Sequence, residues 1–151
     1  MGFQTDFMTG LAELLDTLSI GKYLPTGKYS TTDTAVTMDQ APIGSEGQSP
    51  GPDRAITINL YPVSDDGTTD SVQGIQFRIR GPRNDRRFVK DTSDALFDQL
   101  HDLQRVTIGG TPIVRMWRNS GANLPNDSNN RQESTQNYYA QITRSGAHRK
   151  D

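Results

Sequence analysis

Gly74-Ile75-Gln76-Phe77-Arg78-Ile79-Arg80-Gly81 is the stretch on which the fold turns. Ile75, Phe77 and Ile79 alternate with Gln76, Arg78 and Arg80, the period of two that turns one face of a strand into a core and the other outward. A helix would scatter the same apolar residues around its axis. Upstream, Ile56, Ile58 and Leu60 alternate with Thr57, Asn59 and Tyr61, and Pro62 ends that strand or puts it on an edge. Between the two runs, Ser64-Asp65-Asp66-Gly67-Thr68-Thr69-Asp70 has turn chemistry, so the pair reads as an antiparallel hairpin closed by Gly81-Pro82.

Toward the amino terminus, Phe3, Phe7, Leu11, Leu14, Leu15 and Leu18 recur at steps of three and four, predicting a helix over residues 3–19 with Gly21 as its stop. Residues 24–54 are rich in Pro, Gly, Ser and Thr and are expected to form an extended arm or loop, with only Thr34–Met38 suited to a short strand. Toward the carboxyl terminus, Val89, Leu96, Phe97, Leu100 and Leu103 predict a second amphipathic helix over 92–103, capped by Asp91, Thr92 or Ser93 and with Asp94 in its first turn. Val106 and Ile108, the pair Gly109-Gly110, and Ile113–Arg118 read as a further hairpin. Residues 119–136, with five Asn, are expected to be a mobile loop. Asn137–Arg144 reads as a last strand with Tyr138, Ala140 and Ile142 on one face, and 146–151 as a flexible tail. Trp117 and Tyr138 are expected in the core. The elements add up to an α+β fold, a mainly antiparallel β-sheet packed by two α-helices, in a single domain spanning 1–151. Apolar residues make up only 32% of the chain, so its core is lean.

The net charge of −2 conceals a segregation. Residues 1–74 hold three bases against ten acids, a net of −7, and residues 75–151 hold thirteen bases against eight acids, a net of +5. The densest cluster is Arg78, Arg80, Arg83, Arg86, Arg87 and Lys90, interrupted only by Asp85. It reads as solvated surface, as a contact between subunits, or as a face for nonspecific phosphate contact. Phe88 is the lone aromatic near it outside the apolar strand face, so base-specific recognition is not expected.

Catalytic constellations are missing. No phosphate-binding glycine loop, dinucleotide fingerprint or nucleophile elbow occurs. With no cysteine there is no thiolate chemistry or disulfide framework. His101 and His148 lack partners at ligand spacing, and Asp65, Asp66 and Asp70 lack the spacing of a calcium loop, so neither a metal nor a cofactor is expected. Asn126-Asp127-Ser128 matches a glycosylation sequon by chance. No apolar run approaches the roughly 20 residues that cross a bilayer, and Asp6 stands where a secretory signal is basic; a soluble, unexported chain without a membrane partner is expected.

Pro52-Asp53-Arg54-Ala55 leading into Ile56–Tyr61, the strand Gly74–Gly81, and the following Ser93-Asp94-Ala95-Leu96-Phe97-Asp98-Gln99-Leu100 together resemble the small tail terminator proteins of long-tailed bacteriophages, often labelled minor capsid proteins. The resemblance spans about residues 3–145. It implies a non-enzymatic virion protein assembled in the host cytoplasm. Such a protein forms a ring, of six copies in that family, at the head-proximal end of the tail tube. There it ends tube polymerisation and offers a surface for head joining. The implied partners are further copies of itself, the tail tube protein, a head-tail connector or stopper, and genome DNA in the lumen. Pro52, Asp53 and Arg54 carry the family pattern at the strand lead-in, and the basic cluster falls at a subunit contact or the lumen. A head-tail connector, stopper or adaptor, or a nonspecific nucleic-acid-binding module, are the alternatives.

Overall fold

A computed structural model describes residues 2–42 and 51–150. The elements run α1 (Phe3–Thr17), β1 (Ala35–Met38), β2 (Ala55–Asp65), β3 (Asp70–Arg83), α2 (Arg87–Leu100), β4 (Gln104–Ile108), β5 (Thr111–Leu124) and β6 (Arg131–Thr143). One six-stranded sheet has the order β1-β2-β3-β6-β5-β4. Only β1 against β2 is parallel, so the fold is α+β with a mostly antiparallel sheet, as the alternation predicted.

The two apolar stripes meet on one side of the sheet. Phe7, Leu11 and Leu15 of α1 and Val89, Leu96 and Leu100 of α2 are buried against Ile56, Ile58, Ile75, Phe77, Ile79, Tyr138, Ala140 and Ile142. α1 packs on β1 and β2 at one edge and on β4 at the other, while α2 lies on β3, β5 and β6. The sheet is therefore curled around α1. The closure is tight: a Cβ on Gly10 of α1 would lie 2.7 Å from the Cα of Gly109 in the β4–β5 turn.

Several boundaries differ from the sequence expectation. α1 stops at Thr17, not near Gly21, because Ser19 adopts φ 59° and the amides of Ser19 and Ile20 return to the carbonyls of Asp16 and Leu15. Gly21 serves another purpose, since a side chain there would strike Val36. β2 runs through Pro62 to Asp65 with an irregular register between Pro62 and Ser64; β1 covers it only as far as Ile58, so Pro62 lies on an open edge where its missing N–H costs no ladder bond. β3 likewise passes Gly81-Pro82 through a shift in register and ends at Arg83.

α2 begins at Arg87, five residues before the predicted start, and none of Asp91, Thr92, Ser93 or Asp94 lies at its cap or in its first turn. Arg86 holds the cap position without a side-chain bond, and Asp85 before it satisfies the first helical amide: its Oδ1 accepts the Arg87 N–H at 2.9 Å. The expected mobile loop over 119–136 is corrected. Asn119–Leu124 continue β5, Arg131–Gln136 open β6, and only residues 125–130 turn. Backbone pairing holds this ribbon, which is why no apolar alternation announced it. Trp117 is also corrected: it lies half-buried on the face away from the helices, edge-on to Tyr139 at 6.0 Å, whereas Tyr138 is in the core as expected.

Much of the 24–54 segment is tied to its own sheet, and the part from 43 to 50 lies outside the described residues. Tyr29 donates its hydroxyl to the Val36 carbonyl at 2.8 Å and accepts the Leu24 amide at 2.9 Å. The tail up to Lys150 is fastened too, through Lys150 backbone bonds to Gly67 and Thr69 and a 2.7 Å bond from Arg149 to the Asp70 carbonyl.

Candidate functional site

The six clustered bases do not act as one patch. Alternation along β3 sends Arg78 and Arg80 to the sheet face that no helix covers, but their neighbours differ. Arg78 forms a fork with Glu133 across the β3–β6 pair, Nε to Oε1 at 3.1 Å and Nη2 to Oε2 at 3.2 Å, and stays half exposed. Arg80 is only 6% exposed. Its Nε donates to the Asp53 carbonyl at 2.9 Å, and its Nη2 donates to the carbonyls of Pro52 at 2.8 Å and Pro42 at 3.2 Å. The expectation that β3 presents Arg80 to water or to an anion is thereby corrected: its fork is consumed by three carbonyls. Burial, then the nearby Arg131, pulls its pKa below the usual guanidinium value.

Pro52, Asp53 and Arg54 hold this end of the sheet together. Pro52 is buried. The Asp53 carboxylate accepts from Arg131 Nη1 at 3.3 Å, and Arg131 Nε reaches Asp127 at 2.7 Å. The guanidinium of Arg54 lies 5.6 Å from the centre of the Phe88 ring, and its carbonyl accepts the Ala35 amide. Nothing local in the sequence pointed to the Asp53–Arg131–Asp127 chain, because two of its members fell in the supposed loop.

Arg83, Arg86, Arg87 and Lys90 are exposed, and among the described residues they form no ion pair. They flank the first turns of α2, which has no acidic residue in its first turn. Four cations therefore stand where the helix dipole is already positive, an arrangement unfavourable to the free chain and attractive to an anionic partner. The turn beside them is shaped by Asn84 and Asn130, both with positive φ and bonded to each other through their side-chain amides.

The remaining candidates have local roles. His101 Nδ1 accepts the Arg118 amide at 3.1 Å, and its ring stacks on Phe97 with centres 4.6 Å apart. His148 is exposed. Asp66 accepts from the amide and hydroxyl of Thr68, which hold its carboxyl below the usual range, and Asp65 accepts from Ser71, as a hairpin turn requires. Among the described residues no three His, Cys, Asp or Glu gather in a metal-binding group. No helix there is long and apolar enough to cross a membrane.

The uncovered sheet face carries an aromatic row. The Tyr61 ring lies over Gly74, where any Cβ would strike it, and Tyr139 and Trp117 continue the row across β6 and β5. Arg115 caps it, its guanidinium 5.2 Å from the centre of the Trp117 ring.

Comparison with known proteins gives one family and one fold. Residues 49–144 match the profile of a family described as bacteriophage tail terminator protein, a span from just before Pro52 to the end of β6. A chain in the virion of a native gene transfer agent (GTA) particle is similar in structure, with a TM-score of 0.53 and 12% sequence identity over 71% of this chain and 78% of that one. No curated protein matches.

Proposed function

This chain belongs to the bacteriophage tail terminator family and is a structural protein of a phage tail, and we propose that it forms a ring at the head-proximal end of the tail tube, ending tube polymerisation and offering the surface on which the head joins. The observation that carries this reading is the extent of the family match, which takes in the Pro52-Asp53-Arg54 lead-in, the β3 strand, α2 and both strands of the β5–β6 ribbon. The likeness to a chain of a gene transfer agent virion supports the same kind of setting. Six copies of a single domain make the ring. The family is one of structural proteins, and no catalytic step or cofactor enters the account.

In this reading Arg80, Pro52, Asp53 and Arg54 keep the subunit's shape, while Arg78, Arg83, Arg86, Arg87 and Lys90 serve the contact with a neighbour or the passage of genome DNA. Segregated charge suits a ring, because its contacts are heterologous and join one part of a subunit to a different part of the next. The partners are further copies, the tail tube protein on one side and a connector or stopper on the other. Purified chain added to polymerising tail tube protein should bind tube ends and halt growth. Tubes that keep lengthening at an unchanged rate in its molar excess would count against a terminator and favour a connector.

A further inference from the structure

On the inner face of β6 the apolar stripe of Ile142, Ala140 and Tyr138 gives way to Gln136, Ser134 and Gln132. The same side of the strand that makes the core at one end faces the first turns of α2 with polar groups at the other. Between this wall and the helix lies a cleft of about 300 Å³, lined by Val89, Lys90, Ser93, Asp94, Asn123, Ser134 and Gln136. A hollow of about 460 Å³ shares Ser93, Asn123 and Gln136 with it and extends toward Arg118, and another of about 280 Å³ is lined by Asp85, Arg86, Asn130 and, from β6, Gln132.

Two buried oxygens in this wall are unsatisfied. Ser134 is 2% exposed, and neither its Oγ nor the Oε1 of Gln132 has a hydrogen-bond partner among the described residues. Buried polar atoms are nearly always paired, so one orphan in the wall of the cleft, at Ser134, and one in the hollow at Gln132 mark a surface that something else completes. Charge narrows the occupant. Across the three hollows Arg86, Lys90 and Arg118 stand against two acids, Asp85 and Asp94, and none of the five is in an ion pair among the described residues, which leaves an excess of positive charge.

The lining also separates a polypeptide from a nucleic acid. No aromatic residue lines the three hollows, so bases have nothing to stack on. Asn and Gln amides offer donors and acceptors together, the set that an extended peptide backbone uses. Acidic side chains on that peptide meet the rim. The chain's own amino-terminal half, with ten acids against three bases, has the required sign, and a groove in one half filled from the other half of a second copy is a heterologous contact.

We propose that the cleft between α2 and the β5–β6 ribbon is a docking groove in which an acid-bearing segment from the amino-terminal half of a neighbouring copy lies extended. The proposal rests on the ring reading and names the surface that would join its subunits.

The test places the photo-crosslinking residue p-benzoylphenylalanine at Asn123, an exposed position on the rim, in chain supplied to a phage lacking the gene. Purified tails are irradiated and the products mapped by mass spectrometry. The expected product joins position 123 to a residue in 2–74 of a second copy, and its yield falls about tenfold when Arg86→Glu and Lys90→Glu are combined. Cross-links to DNA, to a different virion protein or to residues 75–151, or no cross-link from chain that is incorporated, would overturn the proposal. If the double reversal blocks incorporation, the product from the Asn123 substitution alone decides. Tail lengths measured in the phage lacking the gene separate the two ideas: normal lengths with the self-cross-link present would retain the groove and reject the terminator reading.

Discussion

Arg80 and Pro52 are 28 residues apart in sequence and joined by a 2.8 Å hydrogen bond from guanidinium to carbonyl. The same side chain takes the carbonyls of Asp53 and Pro42, so one buried cation fixes how the chain enters β2. Arg80→Ala strips three carbonyls of their donor and is expected to cost about 2–4 kcal/mol in urea unfolding. Arg80→Lys should recover only part of that, because an ammonium lacks the planar fork. Arg83→Ala, at an exposed site, should stay within about 0.5 kcal/mol of wild type. Equal costs for the Arg80 and Arg83 substitutions would refute this division of roles.

Gly10 sits inside a helix, where alanine is ordinarily better by about 1 kcal/mol. Here the opposite sign is expected. A methyl group at this position meets the backbone of Gly109, and both segments are fixed by the curl of the sheet around α1. Gly10→Ala should therefore destabilise by at least about 2 kcal/mol, read as a lowered midpoint of thermal unfolding. A raised midpoint would show that α1 does not close against the β4–β5 turn.

Tyr138 is fully buried, and burial pushes its hydroxyl up to about 12 from the ordinary 10. The unfolded chain ionises this group first, so stability is present in full below about pH 10 and is lost between about pH 10 and 12, by up to about 3 kcal/mol. An absorbance titration should show one tyrosine of the five ionising last or only on unfolding, behind Tyr29 and Tyr61, which burial also raises. The hydroxyl has no partner among the described residues, so Tyr138→Phe should be neutral to stabilising at pH 7 and should remove the alkaline loss.

Arg86 and Arg87 stand at the positive end of α2. Replacing both with Glu converts an unfavourable interaction with the helix dipole into a favourable one, worth about 0.3–1 kcal/mol per charge. The double variant should melt no lower than wild type while failing to assemble or to deliver genomes. A variant that is well folded and fully infective would return these arginines to ordinary solvated surface.

Where a residue's surroundings are its own sequence neighbours, the fold was legible in advance. The alternation in β3 and β2, the Gly109-Gly110 hairpin and the stripe of α1 all have that character. The start of α2 was not, because the carboxylate that receives its first amide, Asp85, stands in a run of bases that masked any helical period. The β5–β6 ribbon was missed for a related reason: its outer half has polar residues on both faces, and only cross-strand pairing makes it a strand. Of the candidate site, charge density was visible from sequence, but the fate of each charge was not. Arg80 and Arg83 look alike in sequence; a strand register and the distant carbonyl of Pro52 bury one and leave the other free.

The central claim is that this protein ends tube growth. The most direct measurement is tail length in lysates of the producing phage with this gene silenced, imaged by negative-stain electron microscopy. The account predicts overlong tubes unattached to heads, beside filled heads without tails. Tails of normal length that merely fail to join heads would contradict it and assign the chain to the connector.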